Sequence, residues 1–215
     1  MSESGTPAAD ADADDSFWRS LRFFTLYRLS IAALFLVAAL VFGDTISLGT
    51  QDARLFGRVA AVYLLLAVAF LVILLRRPRR FNLQLSVQVA VDVVALTLMM
   101  FASGGQKSGI AVLLLVVVAG AALVGQGRMT LFYAALASVA MLLEESWRVL
   151  ALDVDLADFV RTGIICIAFF ATAIIARLLA RRVVANETLA RERGRELDDQ
   201  LRISERIIRD MEDGV

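Results

Sequence analysis

The sequence predicts an all-α membrane protein: a six-transmembrane-helix bundle with both termini cytoplasmic, continued by a C-terminal cytoplasmic linker helix of coiled-coil character. Three observations carry this. Apolar residues make up 59% of the 215-residue chain and its mean hydropathy is +0.73, whereas soluble domains are roughly 45–50% apolar. Those residues gather into six runs, at 23–42, 58–75, 83–102, 109–126, 129–146 and 159–180, each close to the roughly 17–25 helical residues that cross a hydrocarbon core. The runs are apolar on every face, which argues against barrel strands, whose residues alternate.

Before the first run, residues 1–16, "MSESGTPAADADADDS", are small and acidic without apolar periodicity, and read as a disordered tail. They have neither the basic start nor the apolar core of a signal peptide. Residues 17–180 form the membrane domain. Its arginines set the orientation: Arg19, Arg22 and Arg28 flank or enter the first span, "RRPRR" at 76–80 joins spans two and three, Arg128 joins four and five, and Arg177, Arg181 and Arg182 leave span six. All fall on one side, while the opposite connections carry Asp44, Asp52, Lys107 and an acidic stretch from Glu144 to Asp158 with few arginines. The positive-inside rule then puts both termini of this multi-pass domain in the cytoplasm. "RRPRR" reads as a topology signal, with an anionic-lipid patch as the alternative. Both prolines, Pro7 and Pro78, lie outside the runs, so no span is broken by one.

The third span holds the costly residues. In "NLQLSVQVAVDVVALTLMMFASGGQKSG", Gln84, Gln88 and Asp92 are spaced by four and share a helical face. Asp92 lies near the middle of the span, where a charged carboxylate costs about 2.5–3.5 kcal/mol on insertion scales. Arg28, on the same half of the first span, is the nearest basic group by depth and forms the candidate intramembrane pair. The alternative is a protonated Asp92 hydrogen-bonded to a neighbouring helix as packing glue. At the end of that span Ser103, Gly104 and Gly105 predict a tight turn whose small side chains let another helix approach. Glu144, Glu145 and Trp147 could meet a cationic ligand at the outer mouth, or simply be a solvated pair beside an interfacial tryptophan.

Residues 181–215 read as a cytoplasmic dimerising signal helix. Core heptad positions fall at Val183, Glu187, Ala190, Gly194, Leu197, Leu201, Ser204, Ile208 and Met211; the second half keeps an apolar seam, while the first is polar and contains a glycine. Such a seam suits a parallel homodimer that can change register or splay. A solvated helix without a partner is the alternative.

Composition removes many activities. There is no histidine, which excludes Ser-His and Cys-His nucleophile pairs, zinc sites of the His-Glu-x-x-His type and a histidine phosphoacceptor. The one cysteine, Cys166, sits in "GIICIAFF" and reads as a buried hydrophobe. Formal net charge is zero, which leaves no nucleic-acid footprint. No metal, no cofactor and no catalytic residue is expected in this chain.

The lead-in "FWRSLRFFTLYRLSIAALFL", the join "ASGGQKSGIAVLLLVVVAGAAL" and the closing "ERIIRDMEDGV" together resemble the membrane sensor region of the PilS family of histidine kinases. The resemblance covers nearly everything from Phe17 onward. It implies a dimeric two-component sensor that phosphorylates a response regulator controlling type IV pilus genes, with the major pilin as the suspected signal in the membrane. It also implies that "IIRDMEDGV" leads into a PAS domain, so that the chain is the sensor portion of a longer kinase. A pilin helix would dock near Ser103, Gly104 and Gly105 or along Gln84, Gln88 and Asp92. A small six-span transporter or channel using an intramembrane Asp92 is the alternative; it would want broken helices and a counterpart to Asp92 in the second half.

Overall fold

Six helices follow the six apolar runs. A computed structural model describes the backbone at residues 25–41, 48–76, 81–125, 129–152 and 156–212, and most side chains up to residue 194. The helices are α1 (Thr25–Val41), α2 (Ala53–Arg76), α3 (Phe81–Ala102), α4 (Ile110–Val124), α5 (Met129–Leu152) and α6 (Leu156–Glu212), with a 3-10 turn at Gly105–Ser108. Among the described residues there is no strand. Helices α2, α3, α5 and the first part of α6 are long and apolar enough to cross a membrane, and α1 and α4 are shorter apolar helices.

Local chemistry explains where these helices stop and start. The Asp52 carboxylate accepts a hydrogen bond from the Leu55 N–H at 2.9 Å, an N-cap that starts α2 five residues ahead of its apolar run. Helix α5 runs to Leu152, six residues past the run ending at 146, because "EESWRVLAL" has no glycine or proline and Glu144 and Arg148 pair one turn apart. Short connections force consecutive helices antiparallel. The α1–α2, α3–α4 and α5–α6 connections therefore share one end, here the diglycine end after Gly104-Gly105, and the others share the arginine end.

Helix α3 is the centre of the bundle, packed against α2, α4 and α5. Its buried Leu85, Val89, Leu96, Met99 and Met100 form the seam. Helix α1 joins through Ala32 and Phe35, whose ring meets Phe56 edge-on at 5.9 Å, and α6 through Phe169 and Ala173. Lipid is as apolar as leucine, so close backbone approach and polar contacts hold such bundles together. The interior accordingly uses alanine: Ala32, Ala60, Ala67, Ala121, Ala134, Ala137 and Ala173 are wholly buried. Many leucines face outward, with Leu40, Leu65 and Leu150 among the most exposed, as a protein solvated by acyl chains requires.

Two compact units divide the chain, 1–177 and 178–215. The bundle is the first. The second is the remainder of α6, where Val183 is exposed. The heptad residues Leu197, Leu201, Ile208 and Met211, the 1–16 tail and most of the arginines used for orientation lie outside the residues whose side chains are described.

Candidate functional site

Arg28 on α1, Tyr63 on α2 and Asp92 on α3 meet in the middle of the bundle. Arg28 Nε lies 2.5 Å from Asp92 Oδ1, and both side chains are 1% exposed. The Tyr63 hydroxyl donates a 2.7 Å hydrogen bond to the same carboxylate oxygen. The rest of the guanidinium is met by aromatic faces: its Cζ stands 5.5 Å from the Tyr63 ring centroid and 5.0 Å from that of Phe70, within the range in which a ring quadrupole attracts a cation. The space beside the node, bounded by Tyr27, Ile31 and Val117, has no room for a water molecule. A dry pair of opposite charges tied to three helices carries no net charge into the bilayer. Burying it still has a cost, since Arg28 Nη1 and Nη2 and Asp92 Oδ2 have no hydrogen-bond partner, and separating its members costs more.

Periodicity puts each group there. Arg28 precedes Ala32 and Phe35 on the buried stripe of α1, Tyr63 lies between the buried Ala60 and Ala67 of α2, and Asp92 follows Gln84 and Gln88 along α3. Gln84 and Gln88 are buried on the same face, and the Gln88 amide has no hydrogen-bond partner on either atom. Nearby, the Ser86 and Tyr133 hydroxyls stand 3.0 Å apart and link α3 to α5. The structure thus brings Arg28 and Asp92 together and keeps Gln84 and Gln88 in line with them. Tyr63 and Phe70 were missed by the sequence reading; the one signal for Tyr63 was its place between two alanines at helical spacing on an otherwise leucine-rich helix.

At the diglycine end the small residues make an internal joint. Ser103 Oγ accepts the Gly49 N–H at 2.9 Å, and the Ala102 carbonyl accepts the N–H groups of Gln51 and Asp52 at 3.0 and 3.1 Å. Gly104 and Gly105 have φ of 86° and 84°, a left-handed turn that suits glycine. A Cβ on Gly105 would run into the Arg148 guanidinium. The space left by these small residues is therefore filled from within the chain, by residues 49–52 and by Arg148.

That joint corrects the reading of Glu144 and Glu145 as a solvated pair. Because α5 continues beyond 146, both carboxylates lie inside the helix and turn inward, 6% and 2% exposed. Arg148, one turn on and also buried, reaches back to Glu144 at 3.7 Å. Trp147 stays exposed. Asp158, at the start of α6, gathers Lys107 at 3.3 Å and Arg161 at 3.5 Å, while its carbonyl accepts the Gln106 amide at 3.2 Å. Among the described residues no three His, Cys, Asp or Glu side chains are grouped to hold a metal ion. The arrangement offers no nucleophile with a base. What it can do is tie α1, α2 and α3 together at one carboxylate.

Comparison with known proteins places this architecture. The family model described as a PilS-like transmembrane domain matches residues 10–190. A relative in Pseudomonas aeruginosa, named Sensor protein kinase PilS, is 32% identical over 198 residues, which is 92% of this chain and 37% of that protein. The chain thus spans little more than a third of its curated relative. No solved structure matches.

Proposed function

This chain belongs to the family of PilS-like transmembrane domains, and from that premise we propose that it is the membrane sensor of a two-component histidine kinase that regulates type IV pilus genes. The family assignment supports a multi-pass sensor in the bacterial inner membrane. The finer statements are part of the proposal: detection of the major pilin within the bilayer, a homodimer joined through residues 181–215, cytoplasmic termini, and a response regulator served by a kinase region beyond Val215. Phosphoryl transfer is assigned to that region because this chain has no histidine.

The observation that carries the mechanism is the Arg28–Tyr63–Asp92 node. A sensor needs two arrangements of similar energy, and a ligand shifts the balance only by binding one of them better. Three helices tied at one carboxylate oxygen would serve as such an element, since a small rotation of α2 or α3 would break the contacts made there. Differential binding of about 1–3 kcal/mol is enough to bias it. Because Gln84, Gln88 and Asp92 are buried and the Ser103–Gly105 turn is filled by residues 49–52 and Arg148, a pilin helix would act on this node from the lipid-facing side of the helices that carry it. The change would leave through α6, which holds both the last apolar segment and the charged stretch after it.

The test is made in cells that carry the full-length gene and a reporter on the pilin promoter. Deleting the major pilin should change reporter output in the parent. The response should be lost when Asp92→Asn replaces the parent sensor at equal membrane abundance. A reporter indifferent to pilin in the parent overturns the reading.

A further inference from the structure

We propose that the groove between α2 and α3 is a binding site for an anionic phospholipid, one acyl chain lying along the groove with the phosphate headgroup on Arg58. The groove has a volume of about 470 Å³, opens toward the bilayer, and is lined by residues 58–66 of α2 and 87–98 of α3. Every lining side chain is apolar except Arg58 and Tyr63, and the Tyr63 hydroxyl is turned inward onto Asp92. Tyr63 therefore presents its ring to the groove. Arg58 lines the groove with its aliphatic stem, the groove's own surface being wholly apolar, so a hydrocarbon tail in the groove would leave a negative head at the rim to meet the guanidinium.

Size and direction select the same occupant. Residues 87–98 rise about 16 Å along the helix axis, close to half of a hydrocarbon core about 30 Å thick. The groove starts near the diglycine end, at Arg58 and Leu98, and runs past the middle of the bundle, so it has the reach of one leaflet. A helix about 10 Å across laid over that length takes up on the order of 1,200 Å³, and would rest on the rim instead of filling the groove.

Arg58 is free to meet an anion from outside the described chain. It is exposed, and none of the ion pairs among the described residues includes it. Arg54 lies one turn nearer the end on the same face. Both stand in the first two turns of α2, where the positive end of the helix dipole disfavours cations. In the orientation proposed above they also face the side that the positive-inside rule leaves poor in arginine. Neither helix electrostatics nor topology accounts for this pair, whereas an anionic headgroup does. The inference rests on the domain spanning a bilayer and is independent of what it senses. Because the Tyr63 ring is both a wall of the groove and the support of the Arg28–Asp92 contact, a seated acyl chain bears directly on the node.

The experiment places the purified chain in nanodiscs of phosphatidylethanolamine with a trace of phosphatidylglycerol or phosphatidylcholine, each bearing the same photoreactive acyl chain, and maps the adducts by mass spectrometry. Labelling at 58–66 and 87–98 should be about fivefold stronger from phosphatidylglycerol, the effect of one basic side chain on an anionic lipid. Unlabelled phosphatidylglycerol should compete it away. Arg58→Gln should abolish the headgroup preference while leaving labelling, and Val62→Trp or Val94→Trp, both at exposed positions, should abolish labelling in the groove. Equal labelling by the two probes in the parent, or a preference that survives Arg58→Gln, overturns the proposal. So does a Val62→Cys variant that cross-links to a second copy of the chain, which would make the groove a protein interface.

Discussion

Arg28 and Asp92 are each too costly for a bilayer alone and tolerable together. Removing one partner of a buried pair costs about 3–5 kcal/mol, whereas removing both leaves an apolar contact. Asp92→Ala should thus destabilise the bundle by about that amount, as should Arg28→Leu, while the Arg28→Leu/Asp92→Leu chain unfolds close to the parent. Unfolding by SDS in mixed micelles measures this, and purely additive single effects would show that the contact carries no coupling. The glycine pair gives a second comparison. A left-handed backbone costs a non-glycine residue about 1–2 kcal/mol, and at Gly105 a methyl group must also displace Arg148. Gly105→Ala should therefore lower the midpoint of thermal unfolding in detergent more than Gly104→Ala, whose Cβ meets only Thr50 Oγ1 at 3.3 Å. At this scale the sequence was readable where polarity contrasts with its surroundings: Gln84, Gln88 and Asp92 stand out among valines at spacing four. Tyr63 did not stand out, because an aromatic in an apolar helix has the same appearance whether its hydroxyl meets a carboxylate or a headgroup.

Elements were legible in existence and order and less so at their ends. Each of the six runs became a helix, since a segment apolar on all faces has no other way to satisfy its backbone in lipid. The misjudged end of α5 has a physical reason: hydropathy falls at Glu144 and Glu145, but helix formation does not depend on hydropathy, and Arg148 one turn later supports the helix through an i,i+4 pair. Reading the acidic stretch as a loop followed from equating the end of greasiness with the end of the helix. The later part of α6 makes its own prediction. In a Cys166→Ala background, Leu197→Cys, Leu201→Cys, Ile208→Cys and Met211→Cys should form disulfides between two copies in membranes, with intervening positions silent, as a heptad seam requires. Cross-linking without periodicity would remove the dimer from the proposal.

For the whole molecule the proposed orientation makes a prediction at its two ends. Impermeant thiol reagents applied to intact cells should modify Lys107→Cys, at the diglycine end, and should reach Arg79→Cys, at the arginine end, only after lysis. Cys166 is the one native thiol and is buried, so it gives little background. The reverse pattern would invert the topology and move the signal helix out of the cytoplasm. The fold also sets a condition on its surroundings. Helix α4 has 15 residues between Gly109 and Gly125, about 22 Å of rise, and it shows lipid a flank at Val112, Val116 and Leu123. That flank is shorter than a hydrocarbon core about 30 Å thick, and each ångström of misfit costs a fraction of a kcal/mol. By that measure a thinner bilayer should suit the α4 flank better than a thicker one.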